Sequence, residues 1–490
     1  MSAKCLIWST KEIRLSSSNP LWYHFAGVAG SGMSALAQFH VQSGGRATGS
    51  DRSFDNGERP EVRAQLERLG VVIVPQDGTY RGALPGHTCD AMVVSTAVEE
   101  TVPDVQAARA GDIPLVHRSE LLARYVRDHR TVAVTGTSGK STVTAMIFTL
   151  LQAAGLEPGL LTGGPLTALV ADGHLGNAWA GTPQAGQPSW LVIEADESDG
   201  SVVRYHPWAG VVLNLGLDHK APADVLAMFH TFHDNTTGPF IRAHAANLDS
   251  LGPNDVTFGA EEGRVAATDI QLLPDGSIFR IDDQAYRLPV PGLYNVLNAT
   301  AAVAVGLEIG LSPAGMAAAL AGFRGVSRRF NSVGQSRGVE VIDDFAHNPD
   351  KIAAALAAGR QRLAHGSGRL LAIFQPHGFG PTRFLRDALI ETFCLELGER
   401  DTLWLPEIFY AGGTASRDIS ARELVEGIRE GGRDARFCAT RADLPDAVAA
   451  EARRGDLVLV MGARDPSLTA FCRDILTALE GVGETPGQAV

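Results

Sequence analysis

From Tyr23 to about Ala463 short runs of β-branched and apolar residues alternate with longer stretches in which apolar positions recur every three or four residues. That alternation predicts strands feeding helices and an α/β fold class. Strands are expected over 71–74, 91–95 and 114–116, with helices over 60–69, 103–110 and 118–127, which makes one doubly wound unit. A second unit is expected to hold strands over 131–135, 190–194 and 211–215 and a small-residue helix from 293. In a third, strands over 339–342, 370–374, 402–405 and 457–461 alternate with helices from 349 and over 383–397, 420–430 and 466–479. The stretches 181–188 and 253–263 read as surface loops. A polar extension over 1–21, with a strand near 6–8, is assigned no function. Three domains follow, at 1–129, 130–325 and 326–490, the first and last Rossmann-like and the central one built on a nucleotide loop.

Composition narrows the classes. A chain of 490 residues exceeds what one core organises. With 45% hydrophobic and 20% charged residues it reads as an ordinary globular enzyme, and no apolar span suggests a membrane partner. A formal net charge of −13 argues against non-specific nucleic-acid binding, which needs clustered cations to displace counterions. The five cysteines show no paired spacing and no secretory leader precedes the first strand, so a cytoplasmic setting is expected.

The chemistry centres on 131–147, which reads as strand, phosphate loop and helix. Gly136, Thr137, Ser138 and Gly139 form the turn. Glycines there let backbone N–H groups face an anion, and the following helix adds its positive end. Lys140 brings a full charge, and the hydroxyls of Ser141 and Thr142 follow, the first suited to Mg²⁺. The strict motif has glycine where this chain has Val134. An earlier turn carries Gly27, Gly30 and Gly32, but Ala29 stands where a dinucleotide fingerprint has glycine, which weakens a nicotinamide dehydrogenase reading. Asp51, after the second strand, suits a ribose or a helix N-cap. Glu194, Asp196, Glu197 and Asp199 gather at the carboxyl end of an apolar strand, where metals and ligands of parallel sheets collect, and His219 ends the next strand. Asn295 and Asn298 share a helix face, to cap and pack or to read a nucleobase edge.

In order along the chain, 24–37 with Gly49-Ser50-Asp51, 135–142, 194–199, Asp218-His219, 295–302, Arg328-Arg329-Phe330, 342–347 and Phe374-Gln375-Pro376-His377 resemble the Mur ligases, and most closely their alanine-adding branch. The resemblance implies a first domain holding a UDP-sugar acid such as UDP-N-acetylmuramate through Gly27, Gly30, Gly32, Asp51, Ser95 and Thr96. It implies a central domain holding ATP and a third that closes over both and accepts the amino acid. ATP phosphorylates the carboxylate, an amine attacks the acyl phosphate, and an amide forms. The implied catalytic set is Lys140, Glu194, His219, Arg329, His347 and Arg383. Ser141, Glu194 and His219 are implied to hold Mg²⁺, while Asn295, Asn298, Arg329 and Asp344 contact the nucleotide. A monomer or homodimer is expected. The chain departs from the family pattern at Ser138 and Tyr294, each in place of a histidine, and at Gly216, in place of a glutamate. It also has Pro381 where the alanine-adding branch carries an arginine, leaving Arg383 beside Gly378 and Gly380, a possible backbone nest for a carboxylate. Alternatives are a ligase of the same mechanism with another amino acid or nucleotide-linked acid, and a non-catalytic nucleotide-binding paralogue.

Overall fold

The computed structural model of the chain describes residues 20–183, 185–186, 188–216, 220–363, 368–410 and 416–481; the strand expected near 6–8, and Asp218-His219, lie outside them. By its internal contacts the chain divides into two units. One takes the chain up to Leu215 with Pro222–Val265 and Ala301–Ala319; the other takes Ala266–Thr300 and the chain from Leu320 on.

The first unit holds two sheets. In one, strands run in the order Val72–Ile73, Arg46–Ser50, Trp22–Ala26, Ala91–Val94, Leu115–His117, all parallel. Strand order reverses between Trp22–Ala26 and Ala91–Val94, the switch point at whose carboxyl ends such sheets bind ligands. The Gly27 turn and Ser95 follow those two strands directly. In the central sheet the order is Val256–Ala260, Phe240–Ala243, Ala209–Val212, Arg130–Thr135, Trp190–Glu194, Gly159–Leu161, Ala178–Trp179. Only the last pair is antiparallel. Val132, Ala133, Leu191 and Val192 are wholly buried, as continuous apolar strands covered on both faces must be.

The two sheets share a core in which Phe39 and Leu36 of the helix Ser31–Gln42 belong with Leu161, Ala178 and Leu191 of the central sheet. Polar bonds join the same elements. Gln38 Nε2 donates to Asn177 Oδ1 at 2.8 Å, Asn177 Nδ2 to Ser31 O at 2.9 Å, and the Ala180 N–H to Gln42 Oε1 at 2.9 Å.

The second unit contains an antiparallel meander, Val265–Leu273, Gly276–Ile281 and Gln284–Leu288, whose first residue belongs to the other unit. It also contains a sheet in the order Asn331–Ser336, Val339–Asp344, Leu457–Met461, Leu370–Phe374, Thr402–Pro406, Asp434–Cys438. That sheet is parallel apart from its first pair, with an apolar core on each face.

The stretch 253–263, expected as a loop, contains the strand Val256–Ala260, paired with Phe240–Ala243. Val256 and Phe258 point inward, an alternation too short to stand out between Pro253-Asn254 and Glu261-Glu262-Gly263. The strand Asn331–Ser336, at the edge of its sheet, holds one β-branched residue, Val333, too weak a pattern to predict a strand. The helix expected from 383 begins at Phe379, with Pro381 in its first turn, where a missing N–H costs nothing.

Candidate functional site

Parallel register sets Val134 of the strand Arg130–Thr135 beside Glu194 of Trp190–Glu194. Val134 is fully buried in the sheet, so the residue in the strict motif's first glycine position is still strand, and the loop starts at Gly136. There φ is +134°, and a Cβ would meet the Leu213 and Asn214 amide nitrogens at 3.1 and 3.2 Å, so only glycine fits. The loop ends at Gly139, which starts the helix Lys140–Ala153, and no acidic residue occupies that helix's first turn.

Lys140 Nζ donates to Gly136 O and to Glu197 Oε2, both at 2.8 Å, with Asp196 Oδ1 at 3.7 Å. Burial pulls the ammonium pKa down, but Glu197, Asp196 and Glu194 outweigh it, so Lys140 is held charged. Burial pushes the Glu197 carboxyl up while Lys140 pulls it back. Asp199 pairs with Arg118. Glu194 meets the next residue of the loop helix: its Oε2 accepts from Ser141 Oγ at 2.8 Å, Thr162 Oγ1 at 3.0 Å and the Gly163 N–H at 2.8 Å. A hydroxyl and a carboxylate meeting at a phosphate loop are hard oxygen donors that fit Mg²⁺. Among the described residues no group of three or more His, Cys, Asp or Glu is arranged as a metal site, and His219 lies outside them.

Asn214 is a loop-holding residue that local sequence pattern does not mark. Its Oδ1 accepts from Thr137 Oγ1 at 2.8 Å and the Ser138 N–H at 2.9 Å, and its Nδ2 donates to Ser138 O at 3.1 Å, so one side chain sets the loop's shape. The sequence signal was only its place at a strand's carboxyl end.

At the first switch point the Gly27 and Val28 N–H groups donate to Ser50 O at 2.8 and 3.1 Å. Asp51 does two things: Oδ1 caps a short helix through the Ser53 N–H at 2.9 Å, and Oδ2 accepts from the Ala29 N–H at 3.0 Å. Gly30 precedes the helix Ser31–Gln42, and Gly32 sits where a Cβ would meet Arg118 Nη1 at 2.9 Å. Ser95 and Thr96 follow the strand Ala91–Val94. Beneath the turn, Asp104 accepts from Ser50 Oγ at 2.5 Å and the Gly78 N–H at 2.7 Å, with His24 Nε2 at 3.3 Å. Burial lowers the His24 pKa despite that carboxylate, so the ring is neutral at pH 7.

In the second unit Asp344 accepts the Phe330 N–H at 2.6 Å and the Ala346 N–H at 2.7 Å, and burial raises its pKa against the pull of Arg329. The Arg329 guanidinium lies 4.4 Å from the centre of the Phe345 ring. Asn295 Nδ2 donates to Pro291 O at 2.6 Å and Asn298 Nδ2 to Asn295 Oδ1 at 3.3 Å, so the two asparagines are bonded to each other and to the turn before their helix.

His347 donates from Nδ1 to Phe345 O at 2.9 Å, which leaves the lone pair on Nε2. Burial, then the charge of Lys351, pushes its pKa well below the usual histidine value. Its ring stands edge-on to His377, 5.5 Å between centres. The two histidines line a cavity of about 200 Å³ with Phe374, Pro376, Gly380, Pro381, Thr382, Phe384, Leu385 and Leu389. One expectation is narrowed here. The Gly378 N–H donates to Phe409 O at 2.9 Å, which takes it out of a carboxylate nest, and Gly380 lies in the first turn of the helix Phe379–Glu396. Arg383 pairs with Asp418, is 3.4 Å from Ser416 O, and is not among the cavity's lining residues, because in a helix it projects away from its neighbours Thr382 and Phe384.

Residues 22–130 match the Mur ligase family, catalytic domain, and residues 328–464 the Mur ligase, glutamate ligase domain. The chain is 36% identical over 471 residues to a UDP-N-acetylmuramate–L-alanine ligase of Caulobacter sp. (strain K31), covering 90% of this chain and 93% of the relative. An Agrobacterium fabrum (strain C58 / ATCC 33970) protein of the same name is 34% identical over 476 residues, with the same two coverages, 90% and 93%. Among solved structures, UDP-N-acetylmuramate-alanine ligase from Thermotoga maritima superposes with a TM-score of 0.76 at 25% identity, covering 94% of this chain and 99% of that one.

Proposed function

The chain belongs to the Mur ligase family, an ATP-dependent acid–amino-acid ligase of peptidoglycan precursor synthesis, and from that premise we propose its substrates and which residues act on them. The acid is UDP-N-acetylmuramate, as the relatives' names have it, and the acceptor an amino acid. A carboxylate oxygen bonds to the γ-phosphorus of ATP as the bond to ADP breaks. The amine nitrogen then bonds the acyl carbon, phosphate leaves with the C–O electron pair, and a proton passes to solvent.

Two anions must meet in line, so this chain's part is positioning and charge. The observation that carries the reading is the convergence of Lys140, Ser141 and Glu194 at one loop mouth. Lys140 exchanges Glu197 for phosphate oxygens. Gly136, Thr137, Ser138, Gly139 and Thr142 supply the surrounding loop, held by Asn214. Ser141 and Glu194 would hold Mg²⁺, which supplies charge neutralisation for phosphoryl transfer; His219 is assigned to a second ion. Gly27, Gly30, Gly32, Asp51, Ser95 and Thr96 take the UDP-linked acid. Asn295, Asn298, Arg329 and Asp344 serve the nucleotide, and His347 with its cavity takes the acceptor. Domain limits at 1–129, 130–325 and 326–490, a cytoplasmic location and a monomer or homodimer belong to the same proposal.

The test is direct. Pure protein with ATP, MgCl₂, UDP-N-acetylmuramate and pooled amino acids should yield a UDP-linked amide by mass spectrometry, with ADP and phosphate in equal amounts. ATP turnover without any amide would refute the reading.

A further inference from the structure

Four polar side chains beneath the Gly27 turn, His24, Thr48, Ser50 and Asp104, are wholly buried. Well-packed apolar side chains of similar volume would serve stability as well, so the cluster calls for another reason. Its protons follow from the partners. Burial pushes the Asp104 carboxyl up, but hydrogen bonds from His24 and Ser50 outweigh it and hold the group ionised, so it only accepts. Asp104 Oδ2 takes the Ser50 hydroxyl proton and the N–H at His24 Nε2. The neutral ring then has its lone pair on Nδ1, which accepts from Thr48 Oγ1 at 2.8 Å, and that oxygen accepts from Trp22 Nε1 at 3.0 Å. Tyr80 stacks on the same ring, 4.0 Å between centres. One arrangement of donors and acceptors is therefore fixed.

Asp104 lies in the first turn of the helix Pro103–Ala110, where the positive helix end favours a carboxylate. From there it reaches three neighbouring strands at once: His24 of Trp22–Ala26, Ser50 of Arg46–Ser50 and, through the Gly78 N–H at 2.7 Å, the segment after Val72–Ile73. Ser50 is the residue whose carbonyl takes the Gly27 and Val28 N–H groups, and its neighbour Asp51 takes that of Ala29. Three successive N–H groups of the glycine turn thus hang on residues 50 and 51, and residue 50 hangs on Asp104. We infer that Asp104 is a positioning residue for the UDP-linked acid, acting through Ser50 to hold the turn in its binding shape before the substrate arrives. This rests on the reading that the turn takes that substrate. A turn that is competent only part of the time weakens apparent binding by the competent fraction and leaves the step after binding unchanged.

Calorimetry on the full chain gives the Kd of UDP-N-acetylmuramate, and initial rates with ATP, MgCl₂ and pooled amino acids give kcat and KM. Asp104→Asn keeps the shape and removes the charge, while Ser50→Ala removes one hydroxyl and keeps the carbonyl. Each should raise Kd and KM for UDP-N-acetylmuramate by about ten-fold, with kcat and the KM for ATP within about two-fold of the parent. The double variant should be no worse than the poorer single one by more than about two-fold, because both changes act through one contact. Asp90→Asn is the control. Asp90 Oδ2 accepts the Trp22 N–H at 2.8 Å, at the opposite end of that strand from the turn, and its loss should lower the melting temperature without moving Kd or KM. Singles that leave Kd and KM within about two-fold, effects that multiply in the double variant, or an equal rise in Asp90→Asn each overturn the inference. A fall in kcat alone marks a purely structural role and overturns it too. Should Asp104→Asn fail to fold, Ser50→Ala decides. A parent chain that shows no binding of UDP-N-acetylmuramate refutes the reading of the turn itself, a failure visible before any variant is made.

Discussion

Replacing Lys140 by Met should cost stability as well as activity, and the stability loss should depend on pH. Lys140 and Glu197 are nearly buried, their side chains 14% and 5% exposed and 2.8 Å apart. Removing one partner of such a pair strands the other, at about 3–5 kcal/mol if the survivor stays ionised. Glu197 has an escape. Burial already raises its pKa against the pull of Lys140, and without Lys140 the pKa rises further. A group whose folded pKa lies above its unfolded value, about 4.3 for Glu, contributes stability in full below the unfolded value and loses it as pH climbs through the folded one. Lys140→Met should therefore resemble the parent most closely near pH 5 and fall furthest behind near pH 8. A loss of about 3 kcal/mol corresponds to roughly 6–12 °C in a unit of 150–250 residues. Calorimetric melting at both pH values, without nucleotide, measures it. Adding Glu197→Gln should return most of the loss at pH 8 and flatten the pH dependence. A Lys140→Met protein that melts with the parent at both pH values, or whose deficit does not shrink at pH 5, would refute this account.

The same Lys140→Met protein should form neither amide nor ADP, because the transferring phosphoryl group loses its fixed cation; turnover within a few-fold of the parent, read by coupled ADP release, would sink that role. Glu194→Ala should lower kcat by about 100-fold or more and shift the Mg²⁺ titration, whereas an unchanged metal dependence would leave Glu194 a structural acceptor for Ser141, Thr162 and Gly163 only. Asp51→Ala removes the tether on the Ala29 N–H and should weaken UDP-N-acetylmuramate about ten-fold by calorimetry, with no binding of NAD in either protein. Arg383→Ala should change acceptor KM less than about two-fold, since its half-exposed pairing with Asp418 is worth under about 1 kcal/mol; a ten-fold rise would restore it as an anchor.

How far the sequence foretold this depends on the range of the interaction. Trp190–Glu194, Leu370–Phe374 and Leu457–Met461 fall where their apolar runs put them, because buried parallel strands announce themselves without help from neighbours. The loop was legible through Gly136, Gly139 and Lys140 even though Val134 breaks the motif. The break arises because the strand simply runs on to Thr135. The pairing of Lys140 with Glu197 spans 57 positions, and the Asn214 clamp reaches back 76 to 77 to the loop, distances at which local pattern says nothing. Arg383 makes the same point, since its residue type suits a carboxylate anchor while its partner Asp418 is one that local pattern does not announce.

The bonds of Gln38 and Gln42 to Asn177 and Ala180 bear on how such a protein is inherited. Apolar contacts around Phe39 tolerate a change of partner, whereas paired amides accept one register and strand a buried donor if either side is exchanged. Recombination between relatives that cut the gene after the last strand of the first sheet would separate 31–42 from 177–180 and leave those amides mismatched. The smallest exchangeable piece of this chain is therefore not the first sheet but the first sheet together with the central one.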